Sequence, residues 1–94
     1  MCQGFFYFKS MVYYFYILYS RELDKYYIGH TSCRLEERLR RHNTNHKGFT
    51  GRVNDWLVHY CETNQSKTEA VERELQVKSW KSRTKLVQLI ERTG

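Results

Sequence analysis

Proline is absent from the 94-residue sequence, and cysteine is scarce. The three cysteines, Cys2, Cys33 and Cys61, are an odd number and form no C-x-x-C pair. We therefore expect neither a disulfide framework nor a zinc site, and we expect a cytoplasmic location. The longest apolar run, 11–19, is too short to span a bilayer and lacks the features of a signal peptide, so no contact with a membrane is predicted.

Acidic residues are also few, because ten Asp and Glu stand against sixteen Lys and Arg and leave a net charge of +6. A basic excess of this size on a small surface favours polyanionic partners, above all nucleic acid. The length indicates one domain and excludes an enzyme with a separate cofactor domain. Aromatic residues make up 16% of the chain, so the composition is that of a folded domain.

The hydrophobic pattern predicts strands and helices in the order β-β-α-β-α, which gives a small sheet with helices packed on it. Strands are predicted at 12–19, 26–30 and 56–61. Helices are predicted at about 33–43 and from the Ser66 cap to about 80. Residues 86–90 form either a further helix or an extended tail. The second helix is expected to bury Ala70, Val71, Leu75 and Trp80. Residues 12–94 then form one domain, and 1–11 form an N-terminal extension.

The first two strands are joined by a short polar segment, 20–25, which predicts an antiparallel hairpin. If the hairpin is centred near Arg21 and Glu22, Tyr16 lies opposite Tyr27. The two tyrosines then share one face of the sheet, because side chains alternate along each strand.

Several polar residues could carry the hydrolysis of a phosphodiester. That reaction needs one group to neutralise phosphate charge, one to take a proton from water, and one to stabilise the leaving oxygen, commonly a divalent metal. Arg38 can clamp phosphate oxygens, and Glu74 can hold a hard cation that keeps most of its waters. A neighbouring cation can also tune a tyrosine to relay a proton.

The order of these residues resembles that of the GIY-YIG nuclease family. Matching segments are Phe15-Tyr16-Ile17, Tyr27-Ile28-Gly29, Leu35-Glu36-Glu37-Arg38-Leu39 with His42-Asn43, Phe49-Thr50 with Trp56, and Glu69-Ala70 with Arg73-Glu74, Lys78 and Trp80-Lys81. The resemblance covers roughly residues 12–90 and is greatest to the small stand-alone bacterial members.

The resemblance implies an α+β fold, in which a small, largely antiparallel three-stranded sheet is flanked by helices. It also implies the activity of an endonuclease that leaves a 5′-phosphate and a 3′-hydroxyl. Tyr16 and Tyr27 would be the two motif tyrosines, one of which activates or positions water. Gly29 would permit close backbone approach beside the site.

By the same resemblance, Arg38 would stabilise phosphate charge, His42 would take part in proton transfer or substrate contact, and Glu74 would bind Mg²⁺ or Mn²⁺. One residue, in Cys33-Arg34, is additional to the usual spacing before Arg38. If it is accommodated before the helix, Arg38 keeps its place. If it lies within the helix, Arg38 rotates by about 100° away from the site.

Nucleic acid is the expected partner, with DNA as the expected substrate, little sequence selectivity, and DNA repair as the expected setting. Basic residues expected to contact the backbone are Arg34, Arg41, Lys47, Arg52 and Lys78. Two other functions stay open, a non-catalytic nucleic-acid-binding module on the same scaffold and a basic protein–protein adaptor. Taken singly, each site residue also has a structural interpretation, such as a surface position for His42 or an ion pair between Glu74 and Lys78.

Overall fold

The computed structural model describes residues 12–32, 34–44 and 48–92, except for the side chain of Phe49. In chain order, the elements are β1 Tyr13–Ser20, β2 Lys25–Thr31, α1 Leu35–His42, one 3₁₀ turn Phe49–Arg52, β3 Leu57–Asn64, α2 Lys67–Ser79 and α3 Arg83–Arg92. The α+β class and the strand and helix order are as predicted, and the C-terminal segment is a helix. The proposed extension, 1–11, lies outside the described residues.

The strands form one antiparallel sheet in the order β2-β1-β3, so the apolar strand β1 lies at the centre. Alternation along β1 sends Phe15 and Ile17 to one face, where they pack against Val77 of α2 and against Leu86 and Leu89 of α3. The C-terminal segment is helical because a helix lets Leu86 and Leu89 both face the sheet and join this core cluster.

The opposite face of β1 carries Tyr16 and Leu18. They pack against Leu35 of α1 and against Val53 and Trp56, which follow the 3₁₀ turn. Both faces of β1 are therefore covered, which explains why its sequence is apolar at successive positions rather than at alternate ones.

The hairpin register differs from the predicted one by two residues. Ser20 pairs with Lys25, so the turn is centred later than expected, and Tyr16 lies opposite Gly29 instead of Tyr27. Asp24 closes the turn in the left-handed region, with a φ of 55°. Because side chains alternate with a period of two, this shift leaves Tyr16 and Tyr27 on the same face.

The helix α2 begins with the predicted capping box. The Ser66 hydroxyl accepts from the Glu69 backbone N–H at 3.1 Å, and the Glu69 carboxylate accepts from the Gln65 N–H at 3.1 Å. The expectation that Leu75 faces the core is wrong, since its side chain is 61% exposed. It lies about 140° around the helix axis from the buried Ala70, outside the buried stripe.

The half-buried Cys61 of β3 is disulfide-bonded. We expected no disulfide framework from the three scattered cysteines, so this bond was not predicted. Disulfides are typical of oxidising compartments, so the cytoplasmic location stays a prediction. Within the described ranges, no helix has the length and apolar character needed to cross a membrane.

Candidate active site

The first site residue, Tyr16, is placed by the sheet itself. Its ring lies over the backbone of Gly29, the residue opposite it on β2. A Cβ at Gly29 would stand 2.8 Å from the Tyr16 hydroxyl oxygen and 3.1 Å from Cε2 of Tyr27. A side chain larger than that of glycine would therefore clash with the two tyrosines at this position.

The hydroxyl of Tyr16 meets two residues of α1. It shares a hydrogen bond of 2.9 Å with His42 Nε2, and Arg38 Nε approaches the same oxygen at 3.5 Å. The helix begins at Leu35, with Arg34 before it in an extended conformation. The additional residue is thus accommodated before the helix, and Arg38 reaches the site.

The imidazole of His42 is buried, so its alternative interpretation as a surface histidine is wrong. Its second nitrogen, Nδ1, shares a 3.0 Å hydrogen bond with Thr50 Oγ1. The carbonyl of Thr50 in turn accepts from Trp56 Nε1 at 2.9 Å, which fixes the 3₁₀ turn against the core. Asn43 adds a two-way bridge, since its amide accepts from the Trp56 N–H at 2.8 Å and donates to the Trp56 carbonyl at 3.1 Å.

The second motif tyrosine, Tyr27, lies beside this chain of hydrogen bonds. Its ring centroid is 4.9 Å from that of His42 and 6.5 Å from that of Tyr16. It lines a hollow of about 460 Å³ together with Arg38, Arg41, His42, Thr44, Gly48 and Thr50. Cationic and hydroxyl groups therefore face the same space as the motif tyrosine.

The carboxylate of Glu74, on α2, is held at both oxygens. His30 Nδ1 donates to Oε1 at 2.6 Å, and Lys78 Nζ donates to Oε2 at 2.6 Å. The Glu74–Lys78 pair is thus present, but the sequence did not identify His30 as a partner of Glu74. Its partner is 44 positions away in sequence, and only its place directly after Gly29 could have drawn attention to it.

Burial and nearby charges shift the pKa values of the Tyr16 hydroxyl and the Glu74 carboxyl. Burial raises the pKa of the Tyr16 hydroxyl, although the hydrogen bond and charge of Arg38 act in the opposite direction. The charges of Tyr27 and Glu74 also raise the Tyr16 pKa, so the Glu74 carboxylate acts on the same centre. Burial opposes ionisation of Glu74, but hydrogen bonds from His30 and Lys78 outweigh it and hold the pKa of that carboxyl below its usual value.

A second hollow, of about 360 Å³, adjoins Arg38 on the side of His30. Arg38 lines both hollows, between the Tyr16–His42 pair and the His30–Glu74 pair. The structure therefore brings the guanidinium of Arg38 and the carboxylate of Glu74 to one region, around Tyr16.

The five residues predicted to contact nucleic acid have different surroundings. Arg41 lines the larger hollow, and Arg52 lines a separate hollow near Glu22. Arg34 pairs with Glu36 and Lys78 pairs with Glu74. Lys47 lies outside the described residues.

A hard divalent cation fits the Glu74 carboxylate by its donor chemistry. Among the described residues, no three Asp, Glu, His or Cys side chains converge on one point, so a complete protein cage is not formed there. Mg²⁺ does not require one, since it binds through one or two carboxylates with waters and substrate phosphates. The Lys78 ammonium that contacts Oε2 is half-exposed, so an ion bound at that oxygen would replace an ion pair at the protein surface.

The family model of the GIY-YIG catalytic domain matches residues 12–87, which is most of the 94-residue chain. The chain therefore belongs to the GIY-YIG family, a family of endonucleases, and its domain indicates a nuclease-type function. Comparison with curated proteins and with solved structures gave no match.

Proposed function

We propose that this protein is a metal-dependent endonuclease that hydrolyses phosphodiester bonds of DNA with little sequence selectivity. The observation that carries the proposal is the Tyr16 hydroxyl, which lies between His42 Nε2 at 2.9 Å and Arg38 Nε at 3.5 Å. A proton acceptor, a phosphate-binding cation and a tyrosine thus meet at one oxygen, beside a hollow.

The proton of the attacking water passes to Tyr16 as Tyr16 gives its own proton to His42. Tyr16 is a neutral phenol at neutral pH, and burial raises its pKa further. It can therefore accept the proton of water only if a base removes its own proton at the same time. His42 serves as that base when its Nε2 is unprotonated. Its Nδ1–H then donates to Thr50 Oγ1, which keeps the imidazole in this tautomer.

Negative charge on the phosphate is neutralised by the guanidinium of Arg38, which can bind two oxygens at once. Glu74 would hold the divalent cation, Mg²⁺ or Mn²⁺, and His30 orients the carboxylate for it. When bound, the metal supplies Lewis-acid stabilisation of the leaving 3′-oxygen. Hydrolysis in this sense leaves a 5′-phosphate and a 3′-hydroxyl.

Low sequence selectivity is supported by the groups around Arg38. They are guanidinium, ammonium and hydroxyl groups, which bind phosphates in any sequence. We expect DNA to be cleaved in preference to RNA, in the cytoplasm, as in DNA repair. Affinity should fall steeply with salt, because the contacts are to phosphates.

The test is a nicking assay on supercoiled plasmid with Mg²⁺, with Mn²⁺ and with EDTA, and with an RNA of equal length for comparison. Arg38→Ala and Glu74→Gln should each reduce the rate by about 10²–10³, the usual effect of losing one stabiliser of the transition state. Arg40→Ala is the matched control, since Arg40 lies on the same helix, exposed and paired with Glu37.

Full activity in Arg38→Ala would contradict the proposed mechanism. If the wild type binds plasmid in a salt-sensitive way but nicks it with neither metal, the protein is the non-catalytic binding module instead.

A further inference from the structure

Two hollows adjoin Arg38, and each contains one further cation. The larger hollow, of about 460 Å³, contains Arg41, with the hydroxyls of Thr44 and Thr50. The smaller, of about 360 Å³, contains Lys67 and His30, with hydroxyls contributed by Tyr13, Thr31 and Ser32. Each hollow therefore offers a cation and several hydrogen-bond donors, the groups that bind phosphate oxygens.

The charges of Arg41 and Lys67 are not neutralised by a carboxylate of the described chain, unlike those of five other basic side chains. Arg34, Arg40, Arg73, Lys78 and Arg83 are each ion-paired. Across the described ranges, neither Arg41 nor Lys67 has a carboxylate within ion-pair distance. Their charge is therefore available to an anion.

The position of Lys67 is unfavourable for the helix that carries it. Lys67 is the first residue of α2, where the helix dipole disfavours positive charge. Its side chain is exposed and packs in neither core cluster. Neither helix stability nor core packing favours a lysine here, whereas an anion in the adjoining hollow would be stabilised by it.

We infer that the hollow containing Lys67 binds a backbone phosphate of the substrate, the one next to the scissile phosphate on the same strand. The inference rests on the proposed function, in which Arg38 binds the scissile phosphate. Arg41 contacts the backbone on the other side, so the strand lies across Arg38 from one hollow to the other. The site then recognises a stretch of nucleic-acid strand rather than an isolated phosphodiester.

The test is the binding of a fluorescent single-stranded DNA oligomer, measured by anisotropy at several salt concentrations in EDTA. For a single strand, each neutralised phosphate adds about 0.7 to the slope of log K against log salt. Lys67→Ala should therefore reduce that slope by about 0.7, and Lys67→Gln should do the same. Lys85→Ala is the matched control, since it removes the same charge from an exposed position on α3 that lines neither hollow.

An equal decrease in both alanine variants would overturn the inference, because net charge alone would then explain it. So would an unchanged slope in Lys67→Ala, or a decrease seen only with duplex DNA, which would place the phosphate on the opposite strand. Because EDTA prevents metal-dependent hydrolysis, this result is independent of whether the wild type cleaves DNA. A wild type that does not nick plasmid would refute the proposed activity and leave the phosphate site standing.

Discussion

Gly29→Ala should displace Tyr16 from its hydrogen-bond partners, because the added Cβ has no room beside the Tyr16 ring. The new Cβ would lie 2.8 Å from the Tyr16 hydroxyl oxygen, 3.0 Å from its Cζ and 3.1 Å from Cε2 of Tyr27. The Tyr16 side chain is only 1% exposed and packs in the core, so its ring cannot swing into solvent. It must instead move along the sheet, away from His42.

We expect Gly29→Ala to lower the free energy of unfolding by about 2–4 kcal/mol, since overpacking costs about 1–3 kcal/mol and the Tyr16–His42 hydrogen bond adds about 1 kcal/mol. Nicking should fall by about 10² or more, because a displacement of about 1 Å at a reacting group has that effect. Urea denaturation gives the first quantity and the plasmid assay gives the second.

A double-mutant cycle with Tyr16→Phe isolates the close contact. Without the hydroxyl oxygen, the nearest atom to the new Cβ is gone, so Gly29→Ala should destabilise the Tyr16→Phe protein by at least about 0.5 kcal/mol less than it destabilises the wild type. Additive free energies in this cycle, or a Gly29→Ala protein as stable and active as the wild type, would refute the reasoning.

Two further predictions concern the partners of the site residues. Thr50→Val should reduce nicking by about tenfold or more, because it removes the hydroxyl that holds the imidazole of His42 in place through Nδ1. Thr50→Ser should restore most of the activity, and equal activity in the two variants would exclude this role. The pKa of Glu74 in the folded protein lies below its usual value, so the ionised carboxylate stabilises the fold above about pH 4.5. This stabilisation is lost as the pH falls through the folded-state pKa of Glu74. The difference in unfolding free energy between wild type and Glu74→Gln, measured by urea denaturation from pH 7 to 3, should therefore shrink at acid pH, and a constant difference would contradict the assigned hydrogen bonds.

The fold was predictable because its signals are local. The apolar run of β1, the capping box at Ser66 and the polar segment between the first strands are all read within a few residues. The hairpin register was not, since the turn contains no Asn-Gly or Asp-Gly pair and closes through Asp24 in the left-handed region. Leu75 was misplaced because a few apolar residues in a 13-residue helix fit more than one stripe.

The candidate site was only partly predictable, because its supporting contacts join distant segments. The motif residues Tyr16, Arg38 and Glu74 are recognisable by their order in the sequence. Thr50 lies in the matching segment Phe49-Thr50 but was assigned no role, because it reaches His42 only through the 3₁₀ turn. His30 was not recognised, because it meets Glu74 only when α2 packs beside β2.

Net charge predicted a polyanionic partner but could not identify the cations that bind it. Arg34 and Lys78, expected to contact nucleic acid, are ion-paired, whereas Lys67 was not singled out and has no carboxylate partner within the described chain. A cation is neutralised only if the fold places a carboxylate beside it, and that carboxylate can come from a distant segment, as in the Asp24–Arg83 ion pair. We therefore expect the affinity for a nucleic-acid strand to depend mainly on the cations near Arg38 and only weakly on the total of +6, since charges beyond about 10 Å are screened at ordinary salt.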